Sequence, residues 1–177
     1  MSRRVVLYIA QSLDGYIARL NGEVDWLAGD GSDPEADFGF LTFYERIDTV
    51  VLGRKTYDQV VNELSPNEWP YEGKKCFVLT RQNLPSNEQV TFINENFVSF
   101  IEALKQQEGQ DIWIVGGSGV IDPLVKANVI DDYIISLMPV ILGDGISLFE
   151  KKNPEILLAL KEVNTYNGGI LMHYVKR

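Results

Sequence analysis

Apolar residues in this chain fall into short runs closed by glycine or polar positions, with amphipathic segments between them. Val5–Ala10 is the first run, and its β-branched and aromatic content fits a buried strand better than a helix. Asp14-Gly15 turns the chain, which resumes apolar at Tyr16-Ile17-Ala18. From Arg19 to Asp33, Asn21-Gly22 and Gly29-Asp30-Gly31 break every period, and the stretch reads as a long irregular loop. Loops of that length inside a compact fold are usually functional. Phe38, Leu41, Tyr44 and Glu45 then follow a helical spacing behind Pro34, which predicts a helix over 34–47.

Thr49–Leu52 reads as the second strand and ends in Gly53-Arg54-Lys55-Thr56, with a helix predicted over Tyr57–Leu64. Ser65–Pro70 breaks the pattern. Cys76–Leu79 is a third strand closing on Thr80-Arg81, and Val90–Ile93 a short fourth. Ser99, with Glu102 three residues on, has the form of a capping box opening a helix that turns Ile101 and Leu104 inward. Ile112–Val115 is a β-branched central strand that stops at Gly116-Gly117, and a helical segment follows from Ser118 to Asn128. Tyr133–Leu142 reads as a long strand interrupted at Pro139, and Gly143-Asp144-Gly145 turns it. Leu160–Tyr166, Asn167-Gly168-Gly169 and Ile170–Val175 form a hairpin signal. Strands alternating with helices imply an α/β fold: a mostly parallel central sheet flanked by helices, finished by a C-terminal antiparallel hairpin. No repeat or linker divides residues 1–177, so a single domain is expected.

Composition narrows the chemistry. One cysteine excludes an internal disulfide, and one histidine argues against a His/Cys metal site, so no metal is expected. The net charge of −9, with no Lys/Arg cluster to offset it, argues against nucleic acid. No apolar run approaches the ~20 residues of a membrane span, and the N-terminus lacks a signal pattern, so the expected compartment is the cytoplasm.

Four strand ends carry polar or glycine-rich turns: Ala10-Gln11, Gly53–Thr56, Leu79-Thr80-Arg81 and Gly116-Gly117. Ligands of open α/β sheets bind at the carboxyl ends of strands, so these turns could line one crevice. A strand running through a glycine pair into a helix can offer backbone N–H groups to an anion. It can equally be a tight turn needing glycine only for its backbone angles. Pro123 leaves a second start for that helix open, with Asp122 as N-cap and Pro123 at its first position. Arg54, Lys55 and Arg81 are either phosphate ligands or solvated surface charges.

Five segments in this order resemble the dihydrofolate reductase superfamily: Ser12–Ala18, Val51–Tyr57, Val78–Arg81, Ile114–Gly117 and Pro139–Phe149. Within it the chain is most similar to the reductase domain at the C-terminus of the bifunctional riboflavin-biosynthesis deaminase/reductase. The resemblance covers nearly the whole chain and implies a dihydrofolate reductase-like fold and NADPH as cofactor. It places Gly53, Arg54, Lys55 and Thr56 at the cofactor phosphates, and Leu79, Thr80 and Arg81 at the adenosine and its 2′-phosphate. Val115, Gly116, Gly117, Ser118 and Gly119 fall beneath the pyrophosphate, and Ala10 and Ile17 border the nicotinamide carboxamide.

The resemblance also places Asp37 where the superfamily has an acidic residue facing the substrate. On an apolar helix face its pKa would be raised, suiting it to a heterocycle's N–H edge; the alternative is an exposed Asp complementing the helix dipole. The implied activity is NADPH-dependent hydride transfer to a small heterocyclic or sugar-linked substrate, such as 5-amino-6-(5-phosphoribosylamino)uracil. A dihydrofolate reductase fits less well, because no Pro-Trp pair precedes Asp37. A non-catalytic NADPH-binding protein is the alternative of another class. An ordinary dinucleotide-binding dehydrogenase is disfavoured by the missing G-x-G-x-x-G after the first strand. The apolar surplus of Ile134–Leu142, with the dimers of the resembling domains, leads us to expect a homodimer with Pro139–Phe149 at or near the interface.

Overall fold

The computed structural model describes residues 3–177. Its strands are β1 (Val5–Ser12), β2 (Tyr16–Ala18), β3 (Ile47–Gly53), β4 (Lys75–Leu79), β5 (Thr91–Ile93), β6 (Asp111–Gly116), β7 (Asp132–Met138), β8 (Ile146–Ser147), β9 (Leu158–Tyr166) and β10 (Gly169–Lys176). The helices are α1 (Phe40–Glu45), α2 (Arg54–Gln59), which runs on as a π-helical turn over Val60–Leu64, α3 (Phe97–Lys105) and α4 (Ser118–Lys126). One eight-stranded sheet has the order β5-β4-β3-β6-β1-β7-β10-β9, and β2 pairs with β8 beside it. The first six strands run parallel; β10 is antiparallel to both its neighbours. This is the mostly parallel sheet with a C-terminal antiparallel pair that the sequence pattern implies.

The continuous apolar runs of β1, β3 and β6 follow from burial on both faces. Val5, Leu7, Ile112 and Ile114 pack with Ile101 and Leu104 of α3 and with Val120, Ile121, Leu124 and Val125 of α4. On the other face Val6, Val50, Leu52 and Trp113 pack with Phe43 of α1 and with Val60 and Tyr71. β7 is likewise covered on both sides, and Ile134, Ile135 and Met138 are buried. The part of the apolar surplus that lies in β7 is therefore internal to the subunit, and the 139–149 segment expected at an interface lies beyond it.

Several boundaries differ from the sequence reading, each for a local reason. The helix expected over 34–47 begins only at Phe40, because Phe38 and Gly39 take left-handed backbone angles (φ 53° and 73°). α2 starts directly at Arg54 instead of Tyr57. Ser99 is not a cap: Asn96 is, its side chain accepting from Ser99 N at 3.0 Å. α4 begins at Ser118, and Pro123 lies inside it, so Asp122 is no N-cap. The Tyr133–Leu142 strand ends at Met138.

The loop between β2 and α1 is fastened at two places. Gln59 Nε2 of α2 donates to Gly22 O at 2.8 Å. At the other side Asn167, in the β9–β10 turn, donates to Ala28 O at 2.7 Å and accepts from Asp33 N at 2.9 Å, while its carbonyl accepts from Asp30 N at 3.1 Å. Trp26, between the fastenings, is buried, and its indole N–H has no acceptor among the described residues.

Candidate functional site

Because β1, β3, β4, β6 and β7 are parallel, their carboxyl ends share one edge, and the polar turns identified in the sequence meet there. The order along the edge is β4, β3, β6, β1, β7. Gly53 pairs with Leu79, and Leu52 with Gly116. The Gly53 and Gly117 turns are in contact: a Cβ on Gly53 would meet Val120 Cγ2 at 3.0 Å and Gly117 N at 3.4 Å, and one on Gly117 would meet Thr56 Oγ1 at 3.2 Å. The Gly116–Gly117 peptide is cis, and Gly116 has φ 127°, an angle that favours glycine.

Both helices starting at this edge lack a side-chain cap. Gly53 precedes α2 and Gly117 precedes α4, and neither supplies a side-chain acceptor. In α4, Val120 N and Ile121 N both turn back to Gly117 O, while Ser118 N and Gly119 N lie in the first turn, where a helix has no internal acceptor. Among the described residues, nothing lies within 4 Å of where a Cβ on Gly119 would stand. Open amides at a helix start, beside small residues, are groups that an anion can approach closely. Thr80 is buried, its N bonded to Ile93 O at 3.0 Å and its Oγ1 accepting from Gln82 N at 3.1 Å. Arg81 and Lys55 are exposed. Arg54 is not an unencumbered fork: its Nε donates to Asp58 at 2.8 and 2.9 Å, and its guanidinium lies 5.9 Å from the Phe92 ring centre. Ala10 and Ile17 are half-buried, and Ile17 packs against the core cluster that includes the α4 residues.

Asp37 departs from expectation. Its two carboxylate oxygens accept from Leu41 N at 3.0 Å and Gly39 N at 2.9 Å, and these amides hold its pKa below the usual carboxylate range. The side chain is exposed and anchors the start of α1, so the raised pKa expected for it is corrected to a lowered one. Neighbouring Tyr8 donates its hydroxyl to Phe38 O at 2.8 Å, and burial, then the nearby Asp37 charge, push its pKa up.

The sequence reading missed a groove of about 220 Å³ between α1 and the antiparallel half of the sheet. Tyr8, Thr42 and Arg46 line one side; Glu162, Asn164, Tyr166 and His173 line the other. His173 Nε2 meets Asp132 Oδ1 at 2.6 Å, and Arg4 Nε bonds the other carboxylate oxygen. Burial alone would raise the Asp132 pKa, but hydrogen bonds from His173 and Arg4 outweigh it and hold the carboxyl low. The alternation of β10 carried a signal for this: His173 is in phase with inward-facing Leu171.

The edge also fixes the site's second loop. Asp14 accepts from Ser12 Oγ at 2.6 Å, Leu142 N at 3.1 Å and Gly143 N at 2.7 Å, tying the segment after β7 to the end of β1. Those bonds lower the Asp14 pKa, the Ser12 hydroxyl contributing most.

The profile of the RibD C-terminal domain family matches residues 3–172. YwjB of Bacillus subtilis (strain 168), an uncharacterized protein, is 44% identical over 177 residues, 99% of each chain. YyaP of the same strain, also uncharacterized, is 34% identical over 178 residues, 96% of this chain and 92% of its own. A crystal structure from Shewanella sp. PV-4, provisionally named for riboflavin biosynthesis, matches with a TM-score of 0.83 at 30% identity, over 100% of this chain and 99% of that one. The Thermotoga maritima diaminohydroxyphosphoribosylaminopyrimidine deaminase/5-amino-6-(5-phosphoribosylamino)uracil reductase shares the fold with a TM-score of 0.70 at 16% identity, over 99% of this chain and 57% of its own. On the family match and the identity to YwjB, the chain belongs to the RibD C-terminal domain family, with the dihydrofolate reductase-like fold of that group.

Proposed function

We propose that this protein is an NADPH-dependent reductase of a small heterocyclic or sugar-linked substrate, akin to the uracil ribosylamine reduced by its T. maritima structural relative. The observation that carries the reading is the contact between the Gly53–Thr56 turn and the Gly117 turn, each opening an uncapped helix on the carboxyl edge of the sheet. NADPH fits this donor set: amides of Ser118 and Gly119 face its pyrophosphate, and side chains at Gly53 or Gly117 would crowd it. Thr80 and Arg81, one strand over, take the adenosine 2′-phosphate, where a guanidinium supplies charge-assisted bonds. When bound, NADPH supplies the hydride.

The chain's residues do the rest. Ala10 and Ile17 border the nicotinamide on one side, and the fastened loop from Arg19 to Asp33 covers the edge and limits water. Excluding water and aligning donor with acceptor are the contributions a protein makes to hydride transfer. Asp37, kept ionised by the two amides, accepts from a substrate N–H edge and is no proton donor.

Fluorescence titration with NADPH and NADH tests the cofactor, and loss of NADPH absorbance against pteridines, ribosylaminouracils and carbonyl compounds tests turnover. NADPH should bind far more tightly than NADH, and Arg81→Ala should remove roughly ten- to a hundredfold of that preference. Equal affinities in the wild type would sink the assignment of the 2′-phosphate. Binding without oxidation of any substrate would favour a non-catalytic cofactor-binding protein instead.

A further inference from the structure

Asp58 has no part in the cofactor reading above, yet it grips a residue that does. Both of its carboxylate oxygens accept from Arg54 Nε, at 2.8 and 2.9 Å. We propose that Asp58 is a positioning residue for NADPH, one that holds the Arg54 guanidinium with its Nη1–Nη2 edge toward the adenosine 2′-phosphate, beside Thr80 and Arg81. The proposal rests on the cofactor reading and adds the residue that sets how strongly NADPH is preferred over NADH.

The helix does not account for the pair. Arg54 is the first residue of α2, where the helix dipole disfavours a cation, and a base four residues before an acid is the weaker order for such a contact. Asp122 and Lys126 of α4 show the favoured order, with the lysine in the last turn. Arg54 and Asp58 are also both partly exposed, and ion pairs so placed contribute little to stability. What the contact fixes is orientation. The planar guanidinium is held at Nε and lies 5.9 Å from the centre of the Phe92 ring, which Tyr57 meets edge-on at 5.5 Å.

The register of the sheet gives the direction. Gly53 pairs with Leu79, and Leu79 with Ile93, so Phe92 stands two strands from β3, about 10 Å across. A side chain that starts at the end of β3 and reaches that ring passes over the carboxyl end of β4. Val78 and Phe92 pair with each other and belong to the apolar cluster on the α2 side, whereas Leu79 and Ile93 belong to the opposite one. Thr80 follows in phase with Val78, so its side chain and the Arg54 guanidinium share a face. Thr80 Oγ1 accepts from Gln82 N at 3.1 Å, and its own proton has no acceptor among the described residues. Arg54 Nη1 and Nη2 have no acceptor there either, because Asp58 takes only Nε. A phosphate on that edge lies across the guanidinium from the Asp58 carboxylate, which limits the repulsion between the two anions.

Fluorescence titration with NADPH and with NADH, on the full chain, tests the role in wild type, Asp58→Ala, Asp58→Asn, Arg54→Ala and the Arg54→Ala/Asp58→Ala double variant. Asp58→Ala should weaken NADPH about fivefold, the factor that goes with freeing one long side chain, and leave NADH unchanged. Asp58→Asn keeps an acceptor for Nε and should recover part of the loss. In the Arg54→Ala background, Asp58→Ala should have no further effect, because the carboxylate acts only through that guanidinium. The role is overturned if Asp58→Ala leaves NADPH affinity unchanged, weakens NADH equally, or still weakens NADPH without Arg54. Tighter NADPH binding in Asp58→Asn than in wild type also overturns it, by showing a carboxylate that repels the phosphate instead of aiming its ligand. A wild type that binds both cofactors equally, or neither, sinks the cofactor reading and this role together; a wild type that prefers NADPH, with Asp58→Ala matching it, sinks this role alone.

Discussion

Gly117 shows how little room the carboxyl edge of the sheet leaves. A β-branched residue there would press on Thr56 Oγ1, already 3.2 Å from a first Cβ, and would stand where the proposed pyrophosphate lies. Gly117→Val should therefore fold, by circular dichroism, and lose NADPH binding; normal binding on an intact fold would reduce the stretch to a turn. The constraint at this position is spatial, since its φ is −82° and the unusual backbone angle belongs to Gly116. Asp132 carries a different kind of constraint. Its folded pKa is depressed, so its contribution is present above the unfolded carboxylate value and is lost as pH falls through the folded one. Unfolding free energy from urea titrations should drop below about pH 4 in the wild type. Asp132→Asn should lose about 3 kcal/mol near neutrality, leaving Arg4 and His173 without a carboxylate, and show a flatter acid limb. An acid limb as steep as the wild type's would show that other carboxylates set it.

At the scale of elements, the β9–β10 hairpin does more than end the sheet. Asn167 adopts φ 46° in its turn, where asparagine is favoured, and its side-chain amide holds the loop between β2 and α1. Asn167→Ala should cost about 2 kcal/mol and speed hydrogen exchange at Ala28 and Asp33 while leaving β1, β6 and β7 protected. Unchanged exchange at those two amides would mean the loop is held by other contacts. Much of this architecture was legible in the sequence. β-branched runs ending at Gly53 and Gly116 marked parallel strands, and Asn167-Gly168 marked the hairpin, because both signals are local. The start of α1 was not, because Phe38 takes a left-handed angle that its residue type disfavours. Nor was Asn96, since Ser99 and Glu102 formed an equally good cap on paper. The glycine edge was readable for the same local reason, whereas the His173 groove depends on pairing across β7, β10 and β9, which no single stretch reveals.

For the whole molecule, the sheet's open edge sets the expectation for assembly. Among the described residues β9 is unpaired on its outer side, and Leu160 and Val163, 56% and 49% exposed, stand on it near Ile170 of β10. Ile141 and Phe149, 70% and 44% exposed, lie in the segment proposed from the sequence for the interface. Apolar edges of this kind are usually covered. We predict a homodimer with a two-fold axis beside β9 and the 139–149 segment. Sedimentation equilibrium should give twice the 20.0 kDa chain mass, and Val163→Lys should halve it; a wild-type species at the chain mass would defeat the prediction. The strand order has its own consequence for how the molecule is made. β1 is internal, between β6 and β7, so its apolar residues wait for partners encoded more than a hundred positions later. At roughly 5–20 residues per second, a ribosome leaves that strand unflanked for on the order of ten seconds. An apolar strand left without its neighbours for that long is open to pairing with other nascent chains until β6 and β7 emerge.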